Sequence, residues 1–404
     1  MNVSLRKYPY PYRAMLAICS DLDETPNKEI YFETARYLNT REDTLLGKGV
    51  GLEVGNTIYF DMPDHNFSYT NTDDDGRRKI LKLIESGHID CFHSFGDFVN
   101  SRTRIEECWS EIQQGKRKIQ VWVDHAQAPT NLDDDIMEGS GAIKGASAFH
   151  ADMTVQTGDL PFIWKGRVTS IVAQNSSRCY AAIFNKKEIL KSTKTILLEF
   201  VKGWFARLGN VKYAMHKENK VLRKTRLIDG SSVYEFMRCN PSYGGVSSND
   251  KARGIHHVLT KKVLDTLVKQ EGASVLYSHL GKVFSVEEPF KPETCQAFEL
   301  LAEYQKSNKI LITTTRRLLG YIRTYETLTY IVKSVNGETH IYLSTEFTGE
   351  DLQGLTLYVK QPQKTKLYVN NQLINEIVIN PPDHTKKLSI SIPWISLSLP
   401  KLSE

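Results

Sequence analysis

Ala14-Met15-Leu16-Ala17-Ile18-Cys19, running into Ser20-Asp21-Leu22-Asp23, is the stretch on which the fold turns. A short unbroken apolar run that ends at once in polar residues reads as a strand buried on both faces, with its carboxyl end at a polar site. The pattern recurs. Ile89-Asp90-Cys91-Phe92 leads into His93-Ser94-Phe95-Gly96-Asp97, and Ile119 to Val123 leads into Asp124-His125. Leu160 to Trp164 ends in Lys165-Gly166, and Ser274 to Tyr277 ends in Ser278-His279. Helix-like segments lie between. Gly76 to Ser86 sets Ile80, Leu83 and Ile84 on one face with Gly87 as a stop, and residues 103–115 and 257–271 are comparable. Helices alternating with near-continuous apolar strands predict an α/β fold, a (β/α) barrel rather than an open sheet. Chemistry in such folds gathers at the carboxyl ends of the strands.

The chain has 404 residues, 40% hydrophobic and 25% charged, which suits one large core plus a smaller appended unit. Composition shifts near residue 325. Beyond it come alternating strand-like pieces around 339–343, 355–359, 366–369 and 388–392, punctuated by Gly337, Gly349, Gly354 and Asn370-Asn371. We therefore expect a barrel over 1–325 and a small all-β, sandwich-like domain over 326–404. Gly47-Lys48-Gly49-Val50-Gly51 has no strand before it and no helix after it, so it reads as a turn and not a phosphate loop.

A net charge of +5 is modest, and runs such as Lys186-Lys187 and Arg223-Lys224-Thr225-Arg226 lack interleaved aromatics. They read as solvated surface and not as a nucleic-acid groove. The opening MNVSLRKYPYPYR has no apolar secretory core, and stretches such as 196–200 are too short to span a bilayer, so a cytoplasmic location is expected. The six cysteines form no C-x-x-C pair, and Cys19 and Cys91, within apolar runs, read as small reduced hydrophobes.

Asp21 and Asp23 stand two apart, so on an extended strand both carboxylates face one side. Their repulsion would be relieved by a bound cation or a shared proton; the bland alternative is that one of them caps a following helix. His93 also ends a strand, with Asp97 four residues on, and imidazole with carboxylates suits zinc and other divalent ions. His125 competes with Asp97 as third ligand; if it ligates, Asp97 orients an imidazole instead. Asp124 and Asn131 are candidates to bind substrate or to hold the 124–131 loop. Trp122, Trp164 and Tyr277 would stack on a sugar ring or fill the core. His150 and the pair His256-His257 are weaker candidates, and His88 reads as a surface residue.

The segment from Gly87 to Asp97 resembles the second motif of the polysaccharide deacetylase (NodB-homology) superfamily, in particular a divergent bacterial branch associated with O-antigen and capsule biosynthesis. In that register His93 falls on the first metal histidine, Ser94 on the small hydroxyl position and Asp97 on the second metal histidine. Asp21 and Asp23 resemble the family's paired aspartates, which are normally adjacent and are here split by Leu22. Ser278-His279 resembles its last motif. The resemblance spans about residues 10–320 in topology and three short motifs in detail, with no R-x-P-Y motif. It implies a divalent metal, zinc first, held by Asp23, His93 and Asp97 or His125, with Asp21 as general base and His279 as general acid. The implied reaction is hydrolysis of an N-acetyl group on a sugar or polysaccharide precursor. A non-catalytic carbohydrate-binding protein on the same barrel, or a glycoside hydrolase using paired carboxylates, would be compatible with the same residues.

Overall fold

The computed structural model describes residues 3–126, 128–133, 138–157 and 160–402. Ala14–Ser20 is a strand buried at every position, as an apolar run with no polar alternation demands. It lies in a five-stranded sheet in the order Ile310–Ile312, Ala14–Ser20, Ala273–Ser278, Arg238–Cys239, Val168–Thr169. All its pairings are parallel. A six-stranded sheet runs Leu222–Arg226, Ser232–Phe236, Phe162–Trp164, Val121–Val123, Ile89–His93, Asn56–Ile58. Here only the Leu222–Arg226 edge is antiparallel. The single barrel ladder expected from sequence is thus divided among the described residues. The chain crosses between the sheets just after Trp164 and again at Met237. The Asn56–Ile58 edge meets the other sheet where Thr57 Oγ1 donates to Ser20 O at 2.9 Å.

Helices follow the strands. Asp74–Glu85 is capped by Asp73, buries Ile80, Leu83 and Ile84, and stops before Gly87, whose φ of +78° is the left-handed conformation that glycine adopts most readily. Gly47–Lys48 is a two-residue strand paired with Asp43–Thr44, so the turn falls on residues 45–46, just ahead of the glycine-rich segment expected to form it.

The C-terminal strands build two four-stranded sheets. One holds Thr329–Val335, Glu338–Ser344, Thr365–Val369 and Gln372–Leu373. The other holds Thr356–Tyr358, Ser389–Ser391 and Val378–Asn380, with the N-terminal strand Ser4–Leu5 on its edge. The first residues therefore join the C-terminal sheets, and buried Arg6 ties them further by reaching Asp383 at 2.8 Å. One apolar cluster runs from Met15, Val121 and Phe162 through Leu318, Leu319 and Ile322 of helix Thr315–Thr327 to Ile341, Leu367 and Ile390. A boundary at 325 cuts through this shared core.

Three histidines are locked into this framework. His150 sets Nε2 2.7 Å from Thr130 O and Nδ1 3.1 Å from Thr154 Oγ1. His88, expected at the surface, is buried, with Nδ1 3.0 Å from Ser86 Oγ. His216 is buried too. Burial pushes each of them down to about 4. Between that value and the free-histidine value of about 6.5, the unfolded chain binds protons that the folded chain does not. The histidine contribution should therefore be full above this window and fall as pH drops through it, each histidine contributing on the order of 3 kcal/mol, opposed by Asp90 and Asp124, whose carboxyls burial pushes up to about 6 and about 7. Urea unfolding between neutral pH and the acid edge of the window tests this. His150→Gln should make stability fall less steeply with acid than in the unaltered chain, and an unchanged pH dependence in that variant would refute the assignment.

Candidate metal centre

The site forms where four strands end. Ala14–Ser20 delivers Asp21 and Asp23, while Leu22 between them is buried in the apolar core that also holds Tyr31 and Phe32. Ile89–His93 ends on His93, whose Nδ1 lies 3.1 Å from Val123 O, leaving Nε2 to face the aspartates. That nitrogen is 3.5 Å from Asp23 Oδ1 and 3.7 Å from Asp21 Oδ2. Val121–Val123 leads to His125, whose Nε2 is also 3.5 Å from Asp23 Oδ1. Ala273–Ser278 leads to His279, with Nε2 3.0 Å from Asp23 Oδ2 and 3.7 Å from Asp21 Oδ2.

One ligand atom from each of Asp23, His93 and His125 lies within 4.8 Å of the other two. A carboxylate and two imidazoles converging in this way fit a divalent cation of zinc type and leave coordination positions open. His125 completes the trio, while Asp97 stands behind it, with Oδ1 3.1 Å from His125 Nδ1. The chain reaches Asp97 through Ser94 and Gly96, both at positive φ. A Cβ at Gly96 would fall 2.1 Å from Asp61 O, so glycine is needed there. Asp97 thus takes the orienting position that the sequence offered as an alternative.

Residues expected to contact substrate are placed otherwise. Trp122 is fully buried among Phe92, Phe95 and His150, and its indole N–H donates to Asp124 Oδ1 at 2.8 Å. Asp124 also accepts from the backbone N–H groups of Leu132 and Asp133 at 3.0 and 3.1 Å, and burial pushes its carboxyl up to about 7. Asn131 clamps His125, accepting from its N–H at 2.9 Å and donating to its carbonyl at 2.5 Å. All three brace the loop that carries His125, and being fully buried they cannot meet a sugar. Trp164 is buried beneath the site, with its N–H donating to Arg167 O at 2.8 Å. His256 and His257 lie tilted against each other at 4.0 Å, outside the cluster.

Three participants were missed by sequence reading. Arg238, fully buried, sets Nη1 2.6 Å from Asp21 Oδ1, with its guanidinium carbon 3.5 Å from the Trp164 ring centre and 4.5 Å from that of Tyr277. Asp250 holds His279 twice: its carbonyl accepts the His279 backbone N–H at 2.6 Å, and its Oδ2 lies 2.9 Å from Nδ1. Tyr59 donates to Asp23 Oδ1 and stacks on the His93 ring at 5.0 Å. The signal for Arg238 was an arginine amid the apolar run Phe236-Met237-Arg238-Cys239, a charge that must find a buried carboxylate. Tyr59 and Asp250 carried no comparable mark.

Burial raises the carboxyls of Asp21 and Asp23, yet both end below the ordinary range. Arg238 leads in pulling Asp21 down, and hydrogen bonds from His279 and His93 lead for Asp23. Burial lowers His279, but its contacts with Asp23 and Asp250 outweigh this and carry it up to about 9. The two carboxylates thus demand positive charge, from protonated imidazoles or from a bound cation. No protein-family model matches the chain, and no curated protein matches it either.

His93→Ala and His125→Ala should each abolish stoichiometric zinc uptake, read by metal analysis and calorimetry. Asp97→Ala should only weaken affinity, by about 10–100-fold, as loss of an orienting partner does. Equal loss in all three would show Asp97 to be a ligand. Undiminished uptake in His125→Ala would remove it from the trio.

Proposed function

We propose that the chain is a metal-dependent hydrolase that releases an N-acetyl or related acyl group from a sugar or polysaccharide precursor, working on a deacetylase-like barrel. The observation that carries this reading is convergence: a carboxylate tied to an arginine, a ligand trio and an imidazole backed by a carboxylate share one cluster. Asp23, His93 and His125 would hold the divalent ion. Such an ion, when bound, polarises a carbonyl oxygen and makes water acidic enough to attack near neutral pH.

The remaining work falls to this chain's own groups. Arg238 keeps Asp21 ionised and fixed, so Asp21 can accept a proton from the attacking water as the new C–O bond forms. Asp250 holds Nδ1 of His279, which aims Nε2 at the cluster, where it can give a proton to the departing amine as the C–N bond breaks. The products balance as one carboxylate and one free amine. The paired-carboxylate glycosidase reading is less well supported. Asp21 and Asp23 approach the same nitrogens of His93 and His279, so they converge on one point and do not flank a cleft.

The test is acetate release from N-acetylated sugars and oligosaccharides by zinc-loaded protein. Asp21→Asn and His279→Ala should each lower kcat by about 10²–10⁴-fold while leaving zinc bound. Sugar binding with no acetate released from any acetylated substrate would replace the enzyme by a binding protein, and full activity in either variant would sink the assigned roles.

A further inference from the structure

The helix Ile189–Arg207 is built inside out. It buries Ser192, Thr195, Glu199, Gly203 and Ala206, the small and polar residues of its sequence. Its large apolar residues face solvent instead: Leu190 is 88% exposed, Leu197 62%, Trp204 56% and, just past its end, Leu208 64%. Steps of 100° per residue put these four within one narrow stripe opposite the buried face. The inward face is fixed by specific bonds. Glu199 accepts from Thr169 Oγ1 at 2.6 Å, from Ser170 N at 3.1 Å and from Lys202 Nζ at 2.7 Å. Thr195 Oγ1 donates to Tyr243 O at 2.8 Å. The helix therefore cannot roll to hide its apolar stripe without leaving Glu199 unpaired in the interior.

Positive charge surrounds the stripe. Lys186 and Lys187 are exposed just ahead of the helix, Lys194 on the flank of the stripe and Arg207 at its end. Glu188, the carboxylate at the start, is paired with Lys191 at 3.1 Å. An exposed stripe of Leu and Trp with lysines at its margins is the pattern of a helix that lies in a membrane interface. No helix among the described residues is long and apolar enough to cross a bilayer.

We propose that this face seats the protein on the surface of an anionic lipid bilayer, with Leu190, Leu197, Trp204 and Leu208 entering the headgroup–acyl boundary and the lysines meeting lipid phosphates. Charge selects this occupant over a second copy of the chain. A second copy would bring another face of the same positive sign against the stripe, whereas anionic headgroups complement its lysines.

Flotation of the full chain with vesicles tests the proposal and does not depend on any hydrolytic activity. Binding is expected to phosphatidylcholine vesicles containing phosphatidylglycerol, to be at least about tenfold weaker to phosphatidylcholine alone, and to weaken as salt is raised. The triple variant Leu190→Ser, Leu197→Ser, Trp204→Ser changes only exposed positions and should lose binding while keeping its thermal unfolding and zinc content. Lys187→Glu with Lys194→Glu should lose the preference for anionic lipid. Failure to float with anionic vesicles would overturn the proposal, as would equal flotation of the triple variant. A dimer seen by light scattering that the triple variant dissolves, without vesicle binding, would assign the stripe to a second copy.

Discussion

The ion pair between Arg238 and Asp21 is the constraint around which the site is arranged. Both side chains are almost wholly removed from water, and two isolated charges could not be kept there. Together they can, because the guanidinium meets the carboxylate at 2.6 Å and lies over the rings of Trp164 and Tyr277. Removing one partner from such a pair typically costs about 3–5 kcal/mol, since the other is left charged and buried. The pair also ties two strands of one sheet across the strand between them: Arg238 pairs in register with Val275, and Ala273–Ser278 pairs in turn with Ala14–Ser20, which leads to Asp21. Trp164, from the other sheet, supplies one of the covering rings. One interaction thus couples the mutual position of the sheets to the charge state of the site.

A graded arrangement follows from that anchor. With Asp21 held by Arg238, Asp23 is left to the imidazoles, and each imidazole is held from behind through its other ring nitrogen. For His93 the support is Val123 O, for His125 it is Asp97, and for His279 it is Asp250. A ring fixed at one nitrogen presents the other in a defined direction, which is how ligand sets reach useful geometry without strain at the ligands themselves. The loop after Val123 shows the same division of labour. Asp124 and Asn131 spend their hydrogen bonds on Trp122, Leu132, Asp133 and the His125 backbone, and only His125 emerges.

The parts of this that could be read from sequence are those set by local pattern. Apolar runs ending in Asp21, His93, His125 and His279 placed four contributors at strand ends, because burial of a parallel strand and exposure of its carboxyl end both leave a mark in consecutive residues. The helix before Gly87 was legible for the same reason. Partners fixed by tertiary contact were not. Nothing local tells Trp122 from a sugar platform, since an aromatic ring at a strand end has the same neighbours in sequence whether it faces a ligand or the core. Asp250 lies in the irregular stretch between Cys239 and Lys261, where periodicity carries no information. The division of the strands into two sheets, and the recruitment of Ser4–Leu5 to the C-terminal sheet, depend on pairings hundreds of residues apart.

Helix Ile189–Arg207 shows how a correct pattern can point the wrong way. A stripe of Leu190, Leu197, Trp204 and Leu208 at helical spacing is ordinarily assigned to the core, because burying apolar area of that size is worth several kcal/mol. Here the opposite face wins. Glu199, bonded to Thr169, Ser170 and Lys202, cannot be turned to solvent without leaving those donors unmet, and Gly203 packs against the Arg178 side chain so closely that a Cβ there would lie 2.7 Å from Nη1. Close packing needs small residues, and buried hydrogen bonds need their partners. Both requirements are satisfied only with the apolar stripe outward. That outward stripe is a standing free-energy cost in water, and it is removed only when the stripe meets an apolar phase. The fold itself thereby specifies a surface on which the chain is more stable than it is in solution.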